Sequence, residues 1–340
     1  MFMDNVDSYF FLITFGSAAS YLFTKKSFFF VISSIGLIGA VIFFDIVFDR
    51  YSIFVMSHKH HWNSFYTVLG PTATPFFLIS VFLAALTRLA DYIGGDLPTM
   101  IAISLMSPVF WLGVFNAMSQ FLACSIIMLT FVNLVASRSN REFFLFFVIG
   151  ALTILFIHPL SIFCLGILSS IALLLRVKRL SQDPVKFVIY VSIIFLNFAI
   201  FSWLAIINGK TGLYLDSNFI NRVYGIFFRE QVLIDLYKNF AKILFLTVFT
   251  LICIKLNNRP INSERLVLGS FVFVLLVFCI VLIPNSQVFS RVSFFLIFFS
   301  MCLVLTGSGN AVNHRLRVWQ ALYVVMCAAH TGMIHLVFST

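Results

Sequence analysis

The sequence IPNSQVFSRVSFFLIFFSMCLVL, residues 283–305, has the length and apolar content of a helix that spans a lipid bilayer. Such a helix needs about 20 predominantly apolar residues. This one contains Arg291, although a permanent charge is costly to place in hydrocarbon. Because Arg291 lies close to one end of the stretch, its long side chain can extend to the membrane surface. The stretch therefore predicts a spanning helix with a guanidinium group near one interface.

Similar apolar stretches follow one another through the whole chain. Of its 340 residues 61% are hydrophobic and 10% are charged, and its mean hydropathy is +1.06. An average soluble domain has about 25% charged residues. The candidate spans are residues 9–23, 27–48, 66–86, 99–115, 116–136, 143–157, 159–175, 187–207, 243–256, 266–283, 288–305 and 318–338. The run 99–136 also fits a re-entrant element followed by one span, so we expect roughly ten to twelve spans. The composition predicts an all-α polytopic integral membrane protein, with residues 1–340 forming a single transmembrane domain.

The distribution of basic residues predicts the orientation of these spans. Asp4 and Asp7 precede the first span, and Lys25 and Lys26 follow it. This is the reverse of the charge order in a cleaved signal peptide, so we expect the span to be retained and to run from outside to inside. If every later span crosses, the inner segments contain Lys25, Lys26, Arg88, Arg138, Arg141, Arg176, Lys178, Arg179, Lys186, Lys255, Arg259, Arg265, Arg315 and Arg317. The outer segments contain Arg50, Lys59, Lys210, Arg222, Arg229, Lys238 and Lys242. An inner excess of this kind is typical of cytoplasmic loops, and it accounts for most of the net charge of +10 without nucleic acid as a partner.

Two longer segments on the predicted outer side are where function is expected, because long loops often carry it. One is residues 49–65, DRYSIFVMSHKHHWNSF, and the other is residues 208–241. The second has apolar residues at the spacing of an amphipathic helix lying on the membrane: Ile220, Val223, Ile226, Phe227, Val232, Leu233 and Leu236. We therefore expect any chemistry at the outer, extracytoplasmic face.

Four arginines on that predicted face are candidates for phosphate binding: Arg50, Arg222, Arg229 and Arg291. A guanidinium group binds phosphate through two hydrogen bonds and stays charged, and a lipid pyrophosphate head group lies at this depth. Plainer interpretations remain open. Arg291 can simply extend its side chain to the interface, and Glu230 and Asp235 can neutralise Arg222 and Arg229.

Three other residues are candidates for acid-base chemistry: Asp45, Asp49 and His158. Asp45 lies near the outer end of the second span, where a carboxylate must be paired, protonated or facing a cavity. His158, in FIHPLSIF, lies at an outer turn, where a neutral imidazole can transfer a proton, bind a sugar or cap the turn. The tract HKHH, residues 58–61, has no paired carboxylate, and the six cysteines lie in apolar runs without ligand spacing. We expect no metal site.

The stretch MSPVFWLGVFNAMSQFLACSIIML, residues 106–129, places polar residues inside the bilayer. Asn116 and Gln120 are four residues apart, so on a helix they share a face beside Ser119. Hydrogen bonding between helices is one interpretation, and substrate binding is the other. The chain has no Walker loop, Rossmann fingerprint, HExxH, nucleophile elbow or DxD dyad. This argues against ATP-driven transport, and we expect no cofactor.

Four segments together resemble the EpsG/Wzy-type bacterial polysaccharide polymerases. They are FDIVFDRY near the outer end of an early span, SPVFWLGVFNAMSQFLACSI, FIHPLSIF and the late SQVFSRVSFFLIFF, and they extend over residues 45–299. Such proteins often carry an arginine before the glutamine of an N-x-x-R-Q stripe, where this chain has Ser119. Asn116 and Gln120 match the stripe, whereas the positive charge has to come from Arg50, Arg222 or Arg291.

The resemblance implies a nucleotide-independent glycosyltransferase, a multi-pass polymerase of O-antigen, capsule or exopolysaccharide repeat units in the bacterial inner membrane. Its expected partners are oligosaccharide carried on undecaprenyl pyrophosphate, membrane lipid, and a flippase and a chain-length regulator of the same pathway. Asp45, Asp49, His158 and Arg291 are the expected catalytic residues. The expected substrate-binding residues, for the pyrophosphate above all, are Arg50, Arg222, Arg229, Asn116 and Gln120.

Two other functions remain open. A different lipid-dependent membrane glycosyltransferase, or a ligase that attaches finished glycan, would use a similar set of arginines and carboxylates. A flippase or other transporter needs polar groups along a path through the bilayer. The predicted ionisable residues concentrate near one face instead, although Asn116, Ser119 and Gln120 can line such a path.

Overall fold

The computed structural model describes residues 6–47, 62–115, 118–158, 161–176, 263–282 and 286–306. The regular elements in these ranges are all helical, as predicted: α1 (Val6–Thr24), α2 (Ser27–Val47), α3 (Trp62–Ile93), α4 (Leu97–Met106), α5 (Pro108–Phe115), α6 (Met118–Ala136), α7 (Asn140–Ile157), α8 (Ser161–Arg176), α9 (Ser263–Leu282) and α10 (Ser286–Leu305). The chain divides into a first unit, Met1–Ser169 with Val304–Thr340, and a second unit, Ser170–Leu303.

The first two helices form an antiparallel hairpin with Lys25 and Lys26 at its turn. Glycines allow the close approach: a Cβ added at Gly39 would lie 2.4 Å from ring carbons of Phe10. The opposite face of α2 exposes apolar side chains at every third or fourth position: Phe28, Val31, Ile35, Ile38 and Ile42. A continuous apolar stripe along a helix is expected where the helix faces lipid.

The span expected at residues 99–115 is interrupted at Ser107, between α4 and α5. Pro108 lacks an amide hydrogen and pushes the residue before it into an extended conformation, and Ser107 has φ −73° and ψ 127°. The indole Nε1 of Trp111 donates to the carbonyl of Leu105 over 2.7 Å, which supplies a donor near the end of α4. Thr99 contacts Lys25 at one end of α1, and Trp111 lies 4.9 Å from Phe11 near the other, measured between ring centroids. Together α4 and α5 thus run along α1 as one interrupted pass through the membrane. This arrangement favours a full membrane crossing rather than a re-entrant element.

Aromatic rings form the centre of the first unit. Phe82 of α3, Phe110 of α5 and Phe121 of α6 are each at most 1% exposed, and their ring centroids lie 5.2 to 5.8 Å apart. A Cβ added at Gly113 would lie 2.2 Å from the ring of Phe121, so this glycine lets α5 and α6 pack closely. The cluster holds three passes against one another.

The third helix is longer than the span expected at residues 66–86. It runs over Trp62–Ile93, with a break at Gly70, whose φ of 72° and ψ of 173° precede Pro71. Positive φ suits glycine, and extended ψ suits a residue before proline. Two expectations change as a result. Residues 62–65 of the expected outer segment 49–65 are helical, and Arg88, expected in an inner loop, lies within α3 and donates from Nε to Asn133 Oδ1 over 3.4 Å.

Two side-chain hydrogen bonds cap the start of α7. The Ser139 hydroxyl accepts from the Glu142 amide over 3.2 Å, and the Glu142 carboxylate accepts from the Arg138 amide over 2.8 Å. The helix packs antiparallel to α6 where Gly150 meets Thr130, and on its other side Phe144 and Phe156 are 67% and 72% exposed. Its apolar exterior again suits contact with lipid.

Three helices of the described ranges are long and apolar enough to cross a membrane: Ala73–Ile93 within α3, Met118–Ala136 and Asn140–Ile157. Shorter apolar helices occur beside them, among them Tyr9–Thr24, Ser27–Ile42 and Val292–Leu305. In the second unit α9 and α10 meet through Phe271 and Phe299, whose ring centroids lie 4.9 Å apart at 81°. The described part of the chain is therefore an all-helical protein with the helices of a membrane protein.

Candidate functional site

The first unit has two distinct ends because its helices alternate in direction. α1 and α2 are antiparallel, as are α6 and α7, and α4 with α5 runs antiparallel to α1. α3 runs parallel to α6, since Phe82 contacts Phe121 and, further along both helices, Arg88 contacts Asn133. Each end therefore gathers side chains from several helices.

One end, which we name the basic end, holds every described basic residue of this unit: Lys25, Lys26, Arg88, Arg138 and Arg141. These residues occupy the turn between α1 and α2, the last two turns of α3 and the start of α7. Their grouping on one end is the pattern that the excess of inner basic residues in the sequence predicts for a cytoplasmic face.

A polar cluster at the basic end attaches α4 to α1. Lys25 Nζ lies 3.5 Å from Asp96 Oδ2 and donates to the Thr99 hydroxyl, which donates to the same carboxylate oxygen. Nζ also lies 5.4 Å from the centroid of the Tyr21 ring, within range of a cation–π interaction. In the sequence, Lys25 indicates only the orientation of the first span. The one local sequence signal for a partner of Lys25 is Asp96, which directly precedes the start of α4 at Leu97 and Pro98.

The opposite end, which we name the His158 end, carries neutral polar side chains: Ser119, Gln120, His158 and Ser161. His158 follows α7, and its Nδ1 lies 2.7 Å from the Ser161 hydroxyl oxygen. The backbone is held on both sides: the His158 amide donates to the Ile154 carbonyl and the Ser161 amide to the His158 carbonyl, each over 2.8 Å. Ser161 is fully buried and His158 is half-buried. This geometry is compatible with both interpretations of His158, a cap of the turn and a group that transfers protons.

Ser161 was not singled out in the sequence. Its signal is the spacing His-Pro-x-Ser, which places a serine at the start of the next helix three residues after the imidazole. At that spacing the hydroxyl of a helix start can reach back to a side chain in the preceding turn. The structure brings this hydroxyl and the His158 ring together.

Gln120 lies at nearly the same height as His158. A Cβ added at Gly150 would lie 2.6 Å from Thr130 Oγ1, so these residues are level on the antiparallel pair α6 and α7. Gln120 lies ten residues before Thr130, and His158 lies eight residues after Gly150. At about 1.5 Å of helix rise per residue, the two positions differ by about 3 Å along the axis. Gln120 and Ser119 are half-buried in the first turn of α6. The polar groups of two neighbouring helices therefore lie at one depth.

Two further predicted residues can be placed by helix position. Asp45 lies in the last turn of α2, which ends beside the start of α1 and so belongs to the His158 end. Arg291 lies in the second turn of α10, in the second unit. Asp49, Arg50, Asn116, Arg222 and Arg229 lie outside the described residues, as do the tract 58–61 and the segment 208–241 with its predicted amphipathic helix.

Metal binding has no candidate in the described part of the chain, where no three His, Cys, Asp or Glu side chains are grouped as a metal ion would require. Cys124, Cys164, Cys279 and Cys302 are buried, and these four residues form no disulfide. Each of the four lies in an apolar run of the sequence, which agrees with this burial.

No protein-family model, curated protein or solved structure matches this chain.

Proposed function

We propose that this protein is a polymerase of the bacterial inner membrane that joins oligosaccharide repeat units carried on undecaprenyl pyrophosphate. It transfers the growing glycan to a new lipid-linked unit at the outer face. The observation that carries the proposal is the polarity of the first unit. Its described basic residues lie at one end, while Gln120, His158 and the helix turn that contains Asp45 lie at the other. With the basic end inside, these candidate groups face outward, where lipid-linked sugars are polymerised.

The reaction needs a leaving group stabilised and a hydroxyl activated. The bond between the donor sugar and its pyrophosphate breaks, and the acceptor hydroxyl oxygen forms the new glycosidic bond while its proton passes to a base. Arg291, Arg50, Arg222 and Arg229 are our candidates to bind the departing pyrophosphate. Asp45, Asp49 and His158 are our candidates for the base. The pyrophosphate bond supplies the free energy, so no nucleotide is required.

One observation favours a transporter as the second candidate. Interrupted helices are common at transport sites in membrane proteins, and the pass made of α4 and α5 is interrupted at Ser107. However, Ser107 is only 2% exposed, and the Trp111 indole binds the Leu105 carbonyl beside the break. A break filled by an aromatic side chain offers no polar path, so the polymerase remains the better-supported proposal. A ligase or another lipid-dependent glycosyltransferase would use the same groups.

Deleting the gene and analysing the surface glycan separates these functions. A polymerase leaves a single repeat unit on the carrier or on its acceptor. Loss of a flippase leaves no outward glycan, and loss of another glycosyltransferase changes the composition of the unit. Wild-type glycan in the deletion strain would contradict all of them.

Complementation of that strain then tests Arg291. We expect Arg291→Ala to reduce long glycan about a hundredfold, the usual effect of removing one group that stabilises transition-state charge. The matched control is Arg141→Ala, which removes an exposed arginine at the basic end and should restore the full glycan ladder. Both variants must be present in the membrane at wild-type amounts. A normal ladder from Arg291→Ala would remove this residue from the mechanism.

A further inference from the structure

An exposed basic residue lies at the head of the apolar stripe on α2. Lys26 directly precedes the helix at the basic end. The exposed side chains that follow it along one face, which we name the α2 stripe, are Phe28, Val31, Ile35, Ile38 and Ile42. A phospholipid has its groups in the same order, with a charged headgroup at the membrane surface and apolar acyl chains below it. We propose that this face binds an anionic phospholipid, with the phosphate at Lys26 and an acyl chain along the α2 stripe. The proposal is independent of the polymerase function.

The backbone of Lys26 is held on both sides. Its carbonyl accepts from the Phe29 amide over 3.1 Å, and its amide donates to the Thr24 hydroxyl over 3.4 Å. The exposed lysine side chain therefore starts from a fixed point at the head of the α2 stripe. A lysine binds phosphate as a compact point charge, and its long apolar stem lets the ammonium group reach headgroup depth.

The charges at the turn between α1 and α2 favour an anionic lipid. Lys25 Nζ lies 3.5 Å from Asp96 Oδ2, so these two charges neutralise each other, and Lys26 adds one net positive charge. A phosphatidylglycerol headgroup carries one net negative charge and complements it. In phosphatidylcholine the choline cancels the charge of the phosphate. The turn is therefore expected to distinguish these two lipids.

Residue size favours a lipid chain rather than a second helix as the occupant of the α2 stripe. Helices in membranes pack through small residues, as α2 does against α1, where a Cβ added at Gly36 would lie 2.5 Å from Thr14 Oγ1. The α2 stripe instead consists of large side chains, against which a flexible acyl chain packs without close approach of backbones. From Phe28 to Ile42 it extends about 21 Å along the helix. One leaflet of hydrocarbon is about 15 Å thick, so the stripe accommodates a whole acyl chain.

Mass spectrometry of the intact full chain, delipidated in detergent, tests the proposal. Dioleoyl phosphatidylglycerol and dioleoyl phosphatidylcholine would be titrated separately, and the fraction of chain with one bound lipid measured. We expect the native chain to bind phosphatidylglycerol more tightly. Lys26→Gln should weaken phosphatidylglycerol about fivefold, the effect of one basic residue near an anionic surface, and leave phosphatidylcholine unchanged. Equal affinities of the native chain for the two lipids overturn the proposal.

Arg88→Gln is the matched control, because it removes an exposed positive charge from the same end of the unit. One and two turns earlier on α3, the exposed side chains are those of Ala84 and Ser80, which offer no large apolar surface to an acyl chain. Arg88→Gln should therefore keep the affinity for phosphatidylglycerol. If it weakens this lipid as much as Lys26→Gln does, the attraction is a general charge effect and the proposed site is wrong.

Two further measurements test the committed occupant. The double variant Ile35→Ala with Ile38→Ala reduces the apolar surface and should weaken both lipids, whereas unchanged binding would show that the acyl chain lies elsewhere. Glycerophosphoglycerol has the headgroup without the acyl chains, so we expect it not to displace the lipid. Displacement would assign Lys26 to a soluble phosphate. A dimer of the native chain that dissociates in the double variant would assign the α2 stripe to a second copy. If a variant fails to fold, the comparison of the two lipids on the native chain still decides.

Discussion

Lys25 has a backbone conformation that lysine rarely adopts. Its φ is +56°, directly after the end of α1, and its amide donates to the Tyr21 carbonyl over 2.8 Å. A left-handed conformation costs a residue with a Cβ about 1 to 2 kcal/mol. The ion pair with Asp96 is partly exposed, with side chains 38% and 28% accessible, and such pairs contribute at most about 1 kcal/mol. The ion pair alone therefore does not offset the strain. The hydrogen bonds through buried Thr99 must supply the rest of the stabilisation.

Two substitutions of Lys25 separate the backbone strain from the side-chain contacts. Lys25→Gly and Lys25→Ala both remove the contacts with Asp96, Thr99 and Tyr21, but only glycine adopts this conformation without strain. We expect Lys25→Gly to be more stable than Lys25→Ala by about 1 kcal/mol, the reverse of the usual order of these residues in a helix. Unfolding in mixed micelles with increasing SDS measures the difference. Equal stabilities would show that the turn relaxes once the lysine side chain is gone.

The sequence could not have revealed the partners of Lys25. Asp96 and Thr99 lie 71 and 74 residues further along the chain. Two neighbouring lysines after an apolar run predict a membrane boundary, but not which later helix begins beside them. His158 was predictable as a candidate because an imidazole beside a proline stands out in an apolar sequence. Its hydrogen bond to Ser161 depends on the geometry of the turn.

The packing of α6 against α7 depends on one glycine. A Cβ at Gly150 would lie 2.6 and 2.7 Å from Oγ1 and Cγ2 of Thr130. Both atoms branch from the Cβ of a stiff side chain, so the helices have to separate to admit a methyl group. Overpacking of this kind costs about 1 to 3 kcal/mol, more than the helix propensity that alanine adds.

We therefore expect Gly150→Ala to lower stability by about 1 to 2 kcal/mol in the same SDS titration. The matched control is Gly16→Ala in α1, where an added Cβ meets nothing within 4 Å. That variant should be as stable as the native chain or slightly more stable, since alanine favours helix over glycine. Equal stabilities of Gly150→Ala and Gly16→Ala would contradict the close approach of α6 and α7 at Thr130.

Helix boundaries were predicted less well than helix existence. Apolar length alone predicts one continuous span at residues 99–115, but Pro108 interrupts that span. It also predicts that the third span ends at residue 86, whereas α3 continues through Arg88 to Ile93. Charged residues in a last turn can extend their side chains to the membrane surface, so hydropathy ends a helix too early. Ser107 and Pro108 indicate the interruption in the sequence. The sequence does not indicate that the Trp111 indole donates to the Leu105 carbonyl beside it.

At the scale of the whole molecule, the alternation of helix direction and the grouping of basic residues carry the functional proposal. The alternation agrees with the order of passes that the apolar runs predict through α7. The exposed apolar stripes of α2 and α7 run along the same direction as these passes. A bilayer around the first unit would then place the basic end and the His158 end on opposite sides.

Cysteine labelling tests this arrangement without reference to catalysis. Tyr9→Cys lies at the His158 end, whereas Lys26→Cys and Arg141→Cys lie at the basic end, and all three native side chains are exposed. With a membrane-impermeant maleimide on intact spheroplasts, we expect Tyr9→Cys to react, and the other two to react only after permeabilisation. The native chain is the control for its own cysteines, four of which are buried. The reverse pattern would put the His158 end in the cytoplasm, against the positive-inside rule. It would contradict an outer-face polymerase, because the candidate groups at that end could not reach a substrate on the outer side.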